Sequence, residues 1–167
     1  GGMSSAMRVI SDPSAWLDRA FAAPDEDVIL VSPHLARNFG ERIAEAAAGS
    51  PRTWAVVTTI DPVAVAGGYL SVDGLQLLVD TGVQIQHVDR LRTHCFFVGR
   101  RALLGSPNLG AASPGAAYLD EDESQSGELA VELTDDDLAA AWREIATLRS
   151  VVVDARDLIW LREQVGR

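Results

Sequence analysis

The chain has 167 residues, of which 47% are hydrophobic and 23% charged, and its formal net charge is −10 at pH 7. This composition is typical of one globular domain and excludes wholesale disorder, and no apolar run is long enough to span a bilayer. The net negative charge argues against broad, non-specific binding to polyanions, although a local basic patch can override it. All 14 basic residues are Arg, so Schiff-base lysine chemistry and a P-loop lysine are also excluded.

The predicted elements alternate between helices and strands along the chain. Asp12 and Pro13 form a capping and first-turn pair, so a helix is expected from there to about residue 23. The other predicted elements, in chain order, are a strand at 28–31, a helix at 37–48, a strand at 53–59, a helix around 75–79 ended by Gly82, strands at 83–88, 93–98 and 102–104, a long loop at 110–126, a strand at 129–133, a helix from 134 and a terminal helix at 154–166.

The spacing of these elements predicts the fold class. A strand, a helix and a second strand imply a parallel pair with a right-handed crossover, whereas closely spaced strands imply antiparallel hairpins. We therefore predict an α/β fold with a mixed sheet flanked by helices, as one domain over residues 4–167. Residues 1–3, Gly-Gly-Met, are interpreted as a cloning remnant.

The lone cysteine and the three histidines limit the redox and metal chemistry. Cys95 cannot form an internal disulfide, which favours a reducing, cytoplasmic location. The His and Cys spacings match no zinc motif, so neither a metal nor another cofactor is predicted.

The candidate chemistry lies between residues 93 and 109. Period-two alternation places His94 on the same sheet face as Phe96 and Val98. His94 lies near one end of that strand, and a hairpin returns the Gly-Ser-Pro-Asn segment at 105–108 along the same sheet. An imidazole supplies a nucleophile or an acid–base group, while the Ser106 hydroxyl and the Asn108 amide can hold phosphate oxygens. This combination predicts a phosphate site.

Charged residues flank that segment. Glu128 opens the next strand and is expected to orient His94 by accepting its second ring N–H. Arg90, Arg92, Arg100 and Arg101 lie close together in sequence, and Arg suits bidentate contact with phosphate. Arg92, Arg100 and Arg101 are the predicted phosphate-binding residues.

Each of these residues also has a purely structural interpretation. His94 can be a half-buried core histidine, Gly-Ser-Pro-Asn is ordinary turn sequence, and the arginines can form a solvated strand edge. His34 follows a strand end where α/β sheets place ligands, but a simple loop position is the first interpretation. His87 is expected at the surface, and Cys95 is expected to be buried and inert.

The segment resembles the phospholipase D-like (HKD) superfamily. That family's motif is His-x-Lys, an Asp after four residues and Gly-Ser-x-Asn about six later, with a Glu on a following strand. Residues 105–109, Gly-Ser-Pro-Asn-Leu, match its second half, and residues 127–131, Gly-Glu-Leu-Ala-Val, resemble the Glu strand. The order of the elements extends the resemblance over residues 10–150.

The motif departs from the family pattern at two positions. Phe96 stands where the family has Lys, and the Asp position falls on Gly99 or Arg101, depending on the end from which it is counted. The resemblance therefore implies a phospholipase D-like domain with a degenerate motif. In the family the Lys binds the transferring phosphoryl group, and Arg would have to replace it here.

Three functions remain open at this point. The first is a decayed active site that binds a phosphodiester or a nucleic acid, or that serves as a partner module. The second is a metal-independent phosphodiesterase in which His94 attacks phosphorus. The third is a structural protein-interaction domain without a ligand. Because active relatives pair two motifs, the resemblance also implies a homodimer.

Overall fold

The computed structural model describes residues 7–105 and 128–166, which form eight strands and six helices. The strands are β1 (Met7–Ile10), β2 (Val28–Val31), β3 (Trp54–Thr58), β4 (Gln84–His87), β5 (Cys95–Val98), β6 (Arg101–Gly105), β7 (Ala130–Leu133) and β8 (Val151–Val153). The helices are α1 (Pro13–Ala22), α2 (Arg37–Ala48), α3 (Pro62–Ala66), α4 (Val72–Thr81), α5 (Asp135–Ala146) and α6 (Ala155–Val165). The loop predicted at 110–126 lies outside the described residues.

All eight strands form one sheet in the order β1-β7-β6-β5-β2-β3-β4-β8. The central strands β2, β3 and β4 are parallel to one another, and every other neighbouring pair is antiparallel. The parallel pairs need helical crossovers, which α2 and α4 supply, while the hairpin from β5 to β6 turns through two residues. The predicted α/β fold with a mixed sheet is confirmed.

Helices cover both faces of the sheet. On one face, side chains from α1, α2, α4 and α6 pack against the strands, and Trp16, Leu75 and Phe96 are completely buried there. On the other face α5 packs through an edge-to-face contact of 5.2 Å between Phe97 and Trp142. Among the described helices, none is long and apolar enough to cross a membrane.

Three short elements escape the sequence prediction. β1 pairs with β7 and β8 pairs with β4, so these strands form the two edges of the sheet. Edge strands bury little surface, as the 68% exposure of both Val9 and Val151 shows. β1 and β8 lack the run of buried apolar residues that made the similarly short β2 recognisable, and α3 is a helix of only five residues.

Two glycines set the distance between α2 and α4. A Cβ placed on Gly40 would lie 3.0 Å from Gly74 Cα, so the helix backbones touch where they cross. Just before each helix, Leu35 and Leu70 form a parallel bridge. The crossing therefore fixes the relative position of the two chain segments that enter these helices.

Gly40→Ala is expected to lower the free energy of unfolding by about 2 kcal/mol, because overpacking of a tight contact typically costs about 1–3 kcal/mol. Gly49→Ala, at the end of the same helix, is the matched control, since nothing lies within 4 Å of a Cβ there. Urea denaturation of both variants measures the difference. Equal stabilities for the two variants would contradict this description of the crossing.

Candidate functional site

A pocket of about 340 Å³ opens beside the carboxyl ends of β2 and β3. This is the edge at which α/β sheets commonly bind ligands, because the chain leaves both parallel strands there and forms loops. The polar residues that line the pocket are His34, Thr59, Asp61, Arg90, Arg92 and His94.

A larger groove of about 650 Å³ runs over the outer surface of α2, α4 and α6. Its charged side chains bond largely to one another, with Arg37 on Glu41 at 3.4 Å and Arg162 on Asp73 at 3.0 Å. Charges that are neutralised in this way leave little to attract a ligand, so we assign no site to the groove.

His94 is placed by the pairing of β2 with β5. Val31 lies opposite Cys95 in that antiparallel pair, so the next residues outward, Ser32 and His94, are neighbours at the sheet edge. His94 is only 8% exposed, and its Nδ1 lies 3.2 Å from Ser32 Oγ. The predicted site histidine therefore lies in the pocket, with one ring nitrogen bonded to a hydroxyl.

The hydrogen bonds of Ser32 favour one tautomer of His94. The Ser32 hydroxyl donates to the His34 carbonyl at 2.8 Å and accepts from the His34 N–H at 3.1 Å. A hydroxyl has a single proton, and when Ser32 gives that proton to the His34 carbonyl it can only accept from His94 Nδ1. In this arrangement Nδ1 carries the His94 proton and Nε2 keeps its lone pair, and no residue within 7–105 and 128–166 bonds to Nε2.

The environment of His94 favours its neutral form. Burial lowers the pKa of His94 below its ordinary value of 6.5, and the charge of nearby His34 lowers it further. At neutral pH the imidazole is consequently uncharged, which is the state that a nucleophile or a general base requires.

His34 is the residue whose role the sequence interpretation underestimates. Its ring centroid lies 5.6 Å from that of His94 in an edge-to-face arrangement, and both rings line the pocket. The His34 ring also meets Tyr69, at 5.2 Å between centroids. The sequence feature that could have marked His34 as a pocket residue was its position just beyond the carboxyl end of β2.

Arg90 and Arg92 project from a turn that is fastened to β3. The Thr59 hydroxyl donates to Val88 O at 2.6 Å and accepts from Leu91 N–H at 3.0 Å, which clips the turn in place. Arg90 adopts the left-handed region, with φ at 54°, a conformation that costs energy for a residue with a side chain. Within residues 7–105 and 128–166, neither arginine forms an ion pair.

Arg100 and Arg101 lie at the other end of the β5–β6 hairpin from His94. Four residues of strand separate Arg101 from Gly105, whose N–H bonds to the His94 carbonyl, and this corresponds to about 13 Å. Arg100 instead pairs with Asp25 and Glu26 at 3.6 and 3.4 Å. The structure thus brings only Arg92, of the three predicted phosphate-binding residues, to the pocket.

Arg101 belongs to a structural ion cluster around Glu132. The Glu132 carboxylate accepts from Arg101 Nη2 at 2.8 Å and from Trp16 Nε1 at 2.6 Å, and Arg8 lies at 3.5 Å. Burial alone raises the pKa of Glu132, but these hydrogen bonds and the two arginine charges hold it below its usual value. The cluster ties β1, β6 and β7 to α1.

The remaining predicted residues divide into two groups. Ser106 and Asn108 lie outside the described residues. Glu128 lies at the same sheet edge as His94, two residues before β7, with β6 between them, which corresponds to roughly 10 Å across the strands. It is the Ser32 hydroxyl that lies against His94 Nδ1.

The other histidine and the cysteine have structural roles. His87, expected at the surface, is half-buried and accepts the Ile60 N–H at Nδ1 at 3.0 Å. Burial raises the pKa of the Cys95 thiol to about 12, so no thiolate is available there at neutral pH. Among the residues that the structure describes, no three potential ligands cluster as a metal site.

Comparison with known proteins reveals similarity of fold only. No protein-family model and no curated protein matches the sequence. Nuc, a phospholipase D family member from Salmonella typhimurium, superposes with a TM-score of 0.59 at 13% identity, over 87% of this chain and 97% of Nuc. Phosphatidylserine synthase from Haemophilus influenzae gives 0.57 at 12% identity, over 96% of this chain and 43% of the synthase.

A third structure is an archaeal chromatin protein, TrmBL2, whose structure shows a mode of DNA binding. It superposes with a TM-score of 0.52 at 12% identity, over 89% of this chain and 56% of TrmBL2. The chain thus spans about half of TrmBL2 and less than half of the synthase, but nearly the whole of Nuc. Together with the topology, these similarities show that the fold is phospholipase D-like.

The stability of the protein is expected to fall between about pH 7.5 and about pH 5.5, in part through His94. The unfolded chain takes up a proton near the ordinary pKa, whereas folded His94 does so only at lower pH. Above that ordinary pKa His94 therefore does not change the free energy of unfolding. As the pH falls towards the folded pKa, His94 lowers this free energy by a growing amount. Urea denaturation at the two pH values should show that His94→Gln loses less free energy of unfolding than the wild type does. Equal losses would contradict a lowered pKa for His94.

Proposed function

We propose that this domain binds a nucleic-acid phosphodiester in the pocket between His34, His94 and the 90–92 turn. The observation that carries the proposal is the convergence of two histidines and two arginines on one recess at the ligand-binding edge of the sheet. A monoanionic phosphate is the ligand class that such a set of donors suits.

The charges of the pocket differ in sign from those of the whole protein. The chain carries −10 overall, yet Arg90 and Arg92 place two positive charges against the single carboxylate of Asp61 at the pocket. Asp61 is already engaged, because its Oδ1 accepts the Val63 N–H at the start of α3 at 2.9 Å. An anion is therefore attracted here and repelled by much of the remaining surface.

The 90–92 turn takes the place of the missing family lysine in this proposal. Phe96, at the lysine position, is completely buried and faces the core. The cations come instead from the turn that immediately precedes His94 in the chain, and the Thr59 clip stabilises their presentation. TrmBL2, a DNA-binding chromatin protein, shares this fold over 56% of its chain, and this similarity supports a nucleic acid as the ligand.

A second candidate function is phosphodiester hydrolysis, which an unprotonated Nε2 on neutral His94 favours. In that reaction Nε2 attacks phosphorus, the bond to the leaving oxygen breaks, and protonated His34 gives its proton to that oxygen. Water, deprotonated by His34, then cleaves the phosphohistidine and restores His94. Without a lysine in the chain, this reaction would depend on Arg90 and Arg92 for charge stabilisation.

A homodimer remains part of the proposal. Apolar side chains on the sheet face that carries α5 stay exposed, with Val9 at 68%, Leu104 at 42% and Trp142 at 41%. Burying them against a second copy would remove this apolar surface from water. Light scattering should then give twice the chain mass of 17.8 kDa.

Arg92→Gln and Arg90→Gln are each expected to weaken binding of a fluorescent oligothymidylate by about fivefold to tenfold at low salt, because each removes one phosphate contact. Fluorescence anisotropy measures the affinity. Arg100→Gln is the matched control, as Arg100 is a similarly exposed arginine that pairs with carboxylates away from the pocket.

The same samples separate binding from hydrolysis. Incubation with bis(4-nitrophenyl) phosphate without metal, beside His94→Ala, detects turnover that depends on His94. Binding without turnover supports the first function, and turnover lost in His94→Ala supports the second. Oligonucleotide binding that is absent, or that responds equally to all three arginine substitutions, would refute the proposed site.

A further inference from the structure

We infer that the ligand of this pocket is an unpaired nucleotide strand, whose base stacks on Tyr69 while its phosphate binds at His94 and Arg92. This inference rests on the proposed function and specifies its ligand class. Its basis is an aromatic side chain that lies directly beside the phosphate-binding recess.

Tyr69 extends the line of rings that begins in the pocket. His94 contacts His34 at 5.6 Å, and His34 contacts Tyr69 at 5.2 Å with the two planes inclined by 34°. Tyr69 remains 37% exposed, so it is accessible to a ligand from solvent. Successive nucleotides of a single strand combine a phosphate and a stacking surface at a similar short separation.

Hydrogen bonds of the backbone fix the position of Tyr69. Its N–H donates to Ala64 O at 2.8 Å, and its carbonyl accepts the Leu35 N–H at 3.0 Å. Gly67 makes room for the ring, because a Cβ there would lie 3.2 Å from Tyr69 Cδ2. A stacking surface that is already ordered loses little entropy when a base binds.

The recess itself favours a single strand over a duplex. His94 is 8% exposed, so a phosphate must enter the pocket to reach Nε2, and a flexible single strand can bend into it. A duplex would have to unpair to place a base on Tyr69, which costs energy. With two arginines in contact, the affinity should also depend only weakly on salt, with a logarithmic slope of about −1.4.

The test compares two labelled octamers of equal charge by fluorescence anisotropy, one of thymidylate and one in which every base is replaced by an abasic residue. We expect the thymidylate octamer to bind about tenfold more tightly, a typical effect of stacking one base on an aromatic side chain. Tyr69→Ala should abolish the difference, and Tyr69→Phe should preserve it. Trp160→Ala, an exposed aromatic residue on α6, is the matched control.

The outcomes distinguish this inference from the proposed function. If both octamers bind equally and Arg92→Gln weakens both, the phosphate site stands and the stacking inference fails. A blunt duplex that binds as tightly as the thymidylate octamer would overturn the inference as well. If neither octamer binds, the proposed function itself fails, and Arg92-dependent binding to phosphatidylglycerol vesicles would then assign the pocket to lipid headgroups.

Discussion

The position of β2 in the sheet is the constraint on which the candidate site depends. β2 lies parallel to β3 on one side and antiparallel to β5 on the other, so the end of β2 and the beginning of β5 meet at one edge. Ser32, at that end of β2, therefore contacts His94 Nδ1, and two residues later His34 lines the same recess. One strand thus supplies the group that orients His94 and the ring that faces it.

The arginines near the hairpin fall into two groups, one paired with carboxylates and one that lines the pocket. Arg101 stabilises the fold through Glu132, and Arg100 through Asp25 and Glu26, so these arginines are neutralised where they lie. Arg90 and Arg92 form no ion pair with the residues that the structure describes. They line the pocket on a turn that is held by the hydrogen bonds of the Thr59 hydroxyl and in which Arg90 has a positive φ. In an acidic protein, two such cations produce a local attraction for anions without a generally basic surface. Specific binding of a few phosphates, rather than broad binding to polyanions, is what this distribution favours.

Periodicity in the sequence was sufficient for the central elements but not for the edges. Buried strands such as β2 and β3, and helices with clear apolar stripes such as α1, were predictable because burial imposes a pattern on the sequence. At the site, His94 was predictable from its place at a strand end. Arg100 and Arg101 were grouped with it because they are near in sequence, although the hairpin carries them to its far end. The roles of Ser32 and Tyr69 depend on contacts between distant segments, which no local pattern records.

The central claim is that a phosphodiester binds between His34 and His94. Long-range proton–nitrogen NMR of the imidazoles, recorded as a thymidine dinucleotide is added, tests it most directly, because the chain has only three histidines. The account predicts that free His94 carries its proton on Nδ1 and that the signals of His34 and His94 shift together on titration. His87, which accepts the Ile60 N–H at Nδ1 and does not line the pocket, should shift least. A His94 proton on Nε2, or a titration that leaves both pocket histidines unchanged, would contradict the account.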